Sequence, residues 1–319
     1  MPTGKMHADE IDTDVALVRR LLTTQFLRWA DLPIIPVPSG GTDNAIYRLG
    51  TDMAVRLPRI HWATGQVEKE RRWLPHMAPR LPLAVPIPLA TGLPGEGYPW
   101  HWSVYQWIEG ENATADRLVD LSHAAKELAQ FVTAFHAIDS TGGPLAGAHN
   151  FSRGVPLAMR DGAVRTAIAE LDGLIDTDMA TAAWKVALQA PLWNAPPVWV
   201  HGDLQSGNLL AMEGNLTAVI DFGAMGVGDP ACDLIVAWNL FSAESREVFR
   251  TTLCADDATW ARGRGWALSV GLIALPYYLN TSPAMVRYAR HTISEVLADY
   301  EQGAGFRSRL RNRCSVISD

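Results

Sequence analysis

Cysteine is scarce in this chain: three in 319 residues, Cys232, Cys254 and Cys314, widely spaced and in no paired motif. That pattern excludes a disulfide scaffold and a cysteine-based zinc site. Long apolar runs are missing too, since the longest mostly apolar stretch, residues 267–279, is broken by Pro276 and is too short to span a bilayer. There is no basic surplus. A formal net charge of −7 argues against general nucleic-acid affinity, which needs a basic face. The first twenty residues carry Asp9, Glu10, Asp12 and Asp14 in place of a basic start and an apolar segment, so a secretory signal is not expected and the cytoplasm is. Internal repeats and low-complexity segments are absent. What remains is an ordinary globular composition, 48% hydrophobic and 19% charged, long enough for one large or two smaller cores.

The informative stretch is residues 198–234. It places Asp203, then Asn208 five residues on, then Asp221 opening an Asp-Phe-Gly turn at the end of an apolar run. Residues 208–212 and 216–220 read as two strands of a hairpin around Glu213-Gly214-Asn215, which brings the three polar side chains to one edge. Phosphoryl transfer needs positioning and charge neutralisation more than covalent chemistry. Asp203 is placed to take the proton of an attacking hydroxyl. Asn208 and Asp221 are oxygen donors of the hardness that Mg²⁺ prefers. His201 reads as a loop brace, and Asp229 or Asp233 as an acceptor for backbone N–H groups of the loop.

His201-Gly202-Asp203 followed by Asn208, with the later Asp-Phe-Gly, resembles the aminoglycoside phosphotransferase family of protein-kinase-like small-molecule kinases. The resemblance covers nearly the whole chain. It implies an α+β, two-lobed kinase-like fold: a nucleotide-binding lobe over residues 1–110, with a small antiparallel sheet and a helix, and a larger, mostly helical catalytic and substrate-binding lobe over 111–319. It implies ATP or GTP and Mg²⁺ as cofactors and a small-molecule hydroxyl as acceptor, such as an aminoglycoside or other antibiotic, with sugars, choline or amino-alcohols as alternatives. A nucleic-acid or membrane partner is not implied. Only a few residues separate Asp-Phe-Gly from Asp229, too few for the long segment on which protein kinases dock peptides.

Read against that family pattern, Ser39, Gly40, Gly41 and Thr42 form a small-residue loop between two strands, whose N–H groups approach phosphate. Arg56 stands on the third strand where the kinase pattern has lysine, a departure that exchanges a point donor for a planar fork. Its partner is Glu70 on a helix over residues 63–77, with Glu68 as competitor. The Gln106 carbonyl and the Ile108 N–H are the expected adenine contacts of the hinge. Residues 85–88 read as an edge strand, 118–138 as a long helix with His136 packed in it, and 232–241, 245–253, 258–279 and 283–300 as C-terminal helices. Asp256, Asp257, Glu295, Asp299 and Glu301 are acids within reach of a cationic acceptor, and the 12 tryptophans would suit a bulkier apolar one. Arg307, Arg309, Arg311 and Arg313 read as a solvated tail.

Overall fold

The computed structural model describes residues 10–38 and 43–315. Ser39, Gly40, Gly41 and Thr42 lie outside the described residues, as do the side chains of the four tail arginines. Asp14 caps the first helix, α1 (Val15–Gln25), by accepting from Leu17 N at 2.6 Å. β1 (Ile34–Pro36), β2 (Asn44–Leu49) and β3 (Met53–Pro58) follow, then α2 (Thr64–Met77), β4 (Pro88–Gly92) and β5 (Trp102–Gln106). The five strands form one antiparallel sheet in the order β1-β2-β3-β5-β4.

Strand alternation decides what each face carries. On β3, Met53, Val55 and Leu57 point into a core closed by Leu17, Val18, Leu21 and Leu22 of α1. Each such side chain contributes roughly 1.5–3 kcal/mol relative to exposure. Arg56 therefore faces the other way, towards α2. That helix buries Gln66, Val67, Glu70, Leu74 and Met77, a helical spacing that delivers two polar groups under the sheet. Leu74 and Met77 continue into the larger core of the helical lobe.

After this sheet come β6 (Glu111–Asn112) and α3 (Leu121–His136), capped by Asp120. Then come α4 (Asp161–Glu170), α5 (Thr177–Leu188), β7 (Val198–Val200), β8 (Leu209–Met212), β9 (Asn215–Val219), β10 (Gly226–Gly228), α6 (Val236–Asn239), α7 (Ala243–Leu253), α8 (Asp257–Tyr278) and α9 (Pro283–Ser315). β8 and β9 form the expected hairpin, with Glu213 and Gly214 at φ 49° and 80° between the paired residues Met212 and Asn215. β7 pairs with β10, so the two ends of the motif are tied together.

Several expectations are corrected. Residues 85–88 are not the edge strand, which starts at Pro88. Ala84 instead bridges Ala218 beside β9, donating to Thr217 O at 3.0 Å, and Val85 is buried in the larger core. The helix read from 232 begins as a tight 3-10 turn over Pro230–Ile235, opened by Asp229 as cap and Pro230 at its first position. Leu118 precedes α3, and α9 runs on to Ser315. No helix among the described residues is long and apolar enough to cross a membrane.

Candidate active site

β7 ends at Val200, and the next three residues turn sharply at Gly202. Its φ of +82° and a Cβ that would sit 2.7 Å from Ala224 O leave room for glycine alone, where the eukaryotic kinase motif has arginine. The turn is anchored from below. Asp233 accepts from His201 N at 3.0 Å and Gly202 N at 2.7 Å, and His136 Nε2 lies 3.0 Å from the same carboxylate. Of the two aspartates left open by the sequence, Asp233 is thus the loop acceptor. Asp229 caps Ala231 N and pairs with Arg262 at 2.7 Å.

His201 is fully buried and braces the loop as expected. Asp203 N donates to its Nδ1 at 3.2 Å, so the ring hydrogen sits on Nε2, which donates to Ile220 O at 3.1 Å. One ring thereby connects the loop of Asp203 to the residue before Asp221.

The structure brings Asp203 and Asn208 together directly. Asn208 Nδ2 donates to Asp203 Oδ2 at 2.9 Å and to Asp203 O at 2.8 Å, which commits the amide nitrogen inward. Gln205 Nε2 adds a bond to the same Oδ2 at 3.0 Å. Asp203 Oδ1 carries no such neighbour bond and meets Arg153 Nη2 at 3.9 Å. The carboxylate is 31% exposed, open enough for an incoming hydroxyl.

Asp221 has φ +61° and ψ 70°, a left-handed conformation that costs an L residue of order 1 kcal/mol and that concentrates at functional sites. Its Oδ1 accepts from Arg56 Nη2 at 2.9 Å. Arg56 Nη1 spans both Glu70 oxygens at 2.7 and 2.8 Å, and Nη2 also reaches Gln66 Oε1 at 2.9 Å. Glu68 pairs with Arg71 on the surface and plays no part. Burial works against the Arg56 charge, but the Glu70 and Asp221 carboxylates outweigh it and hold the guanidinium protonated well above its ordinary range. Burial, then Glu70, push the Tyr105 phenol up, and its hydroxyl donates to Glu70.

The Asn208 amide oxygen and the Asp221 carboxylate are hard oxygen donors that would suit Mg²⁺, an ion that seldom takes an all-protein cage. No cluster of three or more His, Cys, Asp or Glu side chains poised for a metal occurs among the described residues. At the end of β5, Gln106 N donates to Ile87 O at 2.9 Å and Trp107 N to Asp52 O at 2.7 Å, with Gln106 exposed and Ile108 half-buried.

Against known proteins, the model of the phosphotransferase enzyme family matches residues 34–266, well over half of the chain. The chain belongs to the phosphotransferase enzyme family. This family member is 34% identical over 84 residues to an aminoglycoside 3'-phosphotransferase of Escherichia coli, an alignment spanning 24% of this chain and 30% of that relative. Its fold matches the GDP complex of wild-type aminoglycoside 2'-phosphotransferase-IIIa with a TM-score of 0.71 at 17% identity, covering 90% of this chain and 100% of that one. A macrolide 2'-phosphotransferase from Brachybacterium faecium superposes with a TM-score of 0.60 at 22% identity, over 88% of this chain and 97% of that one. The two-lobed fold read from the sequence is therefore the fold of this family member.

Four site residues escaped the sequence reading. Gln66 and Lys69 share with Glu70 the turns of α2 that face the site, and Gln66 stands four residues before Glu70, a helical spacing that was legible. Gln205 lies inside the motif itself. Arg153 comes from a distant loop, and only the tertiary fold brings it to Asp203. The acids named for a cationic acceptor are largely occupied: Asp256 caps α8, Asp257 pairs with Arg250, Glu295 with the buried Arg246, and Asp299 with Arg264 at 3.2 Å. Trp238 and Trp266 are fully buried and belong to the core.

Proposed function

We propose that this protein transfers the γ-phosphoryl group of ATP or GTP to a hydroxyl of a small molecule. The observation that carries this reading is the polar chain from Glu70 through Arg56 to Asp221, joined by the His201 ring and Ile220 to the loop of Asp203, whose Oδ2 is fixed by Asn208. In this reading Asp203 Oδ1 takes the acceptor proton as the hydroxyl attacks. Asn208 Oδ1 and the Asp221 carboxylate would hold Mg²⁺, which when bound would neutralise phosphate charge. Arg56, held by Glu70, contacts the nucleotide phosphates, and Ser39, Gly40, Gly41 and Thr42 supply further donors to them. The Gln106 carbonyl and Ile108 N–H carry the base. Residues 1–110 serve as the nucleotide lobe and 111–319 as the acceptor lobe, in a cytoplasmic protein.

For the acceptor, the similar proteins support an antibiotic hydroxyl of the aminoglycoside or macrolide kind. A second reading, a metabolite such as a sugar, choline or an amino-alcohol, is favoured by Glu295, Asp299 and Asp256, three of the five acids named for a polycation, being engaged by Arg246, Arg264 and the start of α8. A silent nucleotide-binding regulator is disfavoured by the intact set of Asp203, Asn208 and Asp221. The test is phosphorylated product from a panel of these acceptors with Mg²⁺ and each nucleotide. Turnover that persists in an Asp203→Ala protein would remove Asp203 from its role. Unchanged Mg²⁺-dependent nucleotide affinity in Asp221→Ala would remove the metal assignment.

A further inference from the structure

Helix α2 presents two neighbouring residues to the Asp221 turn. Glu70 grips its side chain through Arg56, as described above. Lys69, one residue earlier, grips its backbone: Nζ donates to Gly223 O at 2.7 Å and to Met225 O at 2.9 Å, the carbonyls within and just beyond the 3-10 turn that follows Asp221. The turn is also pressed onto the helix, since a Cβ at Gly223 would lie 2.6 Å from the Gln66 side chain.

A grip of this kind is needed there. Asp221 holds a left-handed conformation that an L residue adopts only when its surroundings over-determine it. Carbonyls in such a tight turn have few intrahelical donors of their own. The same ammonium lies 3.4 Å from His149 O and 3.4 Å from His149 Nδ1. His149 belongs to the loop in which Asn150 Nδ2 holds Arg153 O at 2.9 Å, placing Arg153 beside Asp203. Phe151 and Ser152 of that loop are left-handed as well, both at φ 56°. Lys69 is thus the point where the nucleotide-side helix, the Asp221 turn and the loop beside the general base meet.

We propose that Lys69 is a positioning residue that locks the backbone of the Asp221 turn to α2, so that the carboxylate is presented for metal and nucleotide only while that helix is docked. The proposal rests on the phosphotransferase reading for its ligand, and on hydrogen-bond geometry alone for the clamp. It predicts two measurable losses in Lys69→Met. Amide hydrogen exchange at residues 222–226 of the nucleotide-free protein rises about tenfold, the scale of losing bonds to a charged donor, while exchange in β5 is unchanged. Mg²⁺-dependent nucleotide affinity, read by calorimetry, falls about tenfold while affinity in chelator stays within about twofold. Lys69→Gln, which shortens the side chain and removes the charge, is read in the same way should Lys69→Met fail to fold. Unchanged exchange at 222–226 overturns the clamp, and equal loss of affinity with and without Mg²⁺ overturns the positioning role. If the wild-type protein binds no nucleotide, the phosphotransferase reading falls, and the exchange experiment still decides the clamp.

Discussion

Replacing Arg56 by lysine restores the residue of the kinase pattern, and it should nevertheless damage this protein. The guanidinium spreads four contacts over two nitrogens: Nη1 to both Glu70 oxygens, Nη2 to Gln66 Oε1 and Asp221 Oδ1. The Arg56 side chain is 11% exposed and that of Glu70 only 1%, so water replaces few of these bonds. A lysine ammonium is one point with three donors on a shorter reach. It keeps the counter-charge for buried Glu70 but gives up the Nη2 pair. At roughly 1–1.5 kcal/mol for each lost bond, the expected loss is about 2–3 kcal/mol of folding stability. Losing the Asp221 tether should weaken Mg²⁺-dependent nucleotide binding about tenfold. Arg56→Met strands a buried carboxylate and should cost more, about 3–5 kcal/mol. Urea denaturation and calorimetry with and without Mg²⁺ read both effects. Arg56→Lys within about 0.5 kcal/mol of wild type, with unaltered nucleotide affinity, would refute the argument that the planar fork spans two sites.

Three further outcomes are expected. Asp203→Ala should lower kcat by about 10²-fold or more, the scale of general-base effects, with nucleotide affinity retained; steady-state kinetics and calorimetry separate the two. Gly202→Ala should destabilise by about 2–3 kcal/mol, because it adds a side chain at φ +82° against Ala224 O, and it should depress kcat by moving Asp203. Lys69 gives a pH signature. Burial, with Arg56 adding and Glu70 and Asp221 opposing, pulls its pKa from 10.5 to about 8. His149 also faces it. The unfolded chain then binds more protons between these values, so this residue makes stability rise with pH from about 8 to 10.5, and the rise is lost as pH falls through 8. Lys69→Met should flatten that limb in denaturant titrations.

The parts of the site that were legible in the sequence are those set by short-range rules. Asp203, Asn208 and Asp221 flank one short hairpin, which the Glu213-Gly214 turn closes. The Arg56–Glu70 pair follows from strand alternation on β3 and helical spacing on α2 together with the family pattern. What escaped depends on which surface meets which. Val85 and Ile87 have the alternation of an edge strand, yet Val85 packs in the helical lobe because Ala84 hydrogen-bonds beside β9. Arg153 reaches Asp203 from a loop fifty residues upstream. Asp229 and Asp233 are equivalent on paper, and only the packing of Arg262 against one and His136 against the other separates them. Glu295 and Asp299 looked available for substrate until their partners Arg246 and Arg264 were placed.

The central claim is Asp203-dependent phosphoryl transfer to a small-molecule hydroxyl. Its most direct test is mass spectrometry of acceptors after incubation with Mg²⁺ and ATP or GTP, alongside nucleoside diphosphate release, over aminoglycosides, macrolides, sugars and amino-alcohols. The account predicts an acceptor that gains one phosphoryl group per diphosphate released, with no product from the Asp203→Ala protein. Product formed equally by that variant would contradict it, and so would a folded wild-type protein that phosphorylates no acceptor and binds no nucleotide.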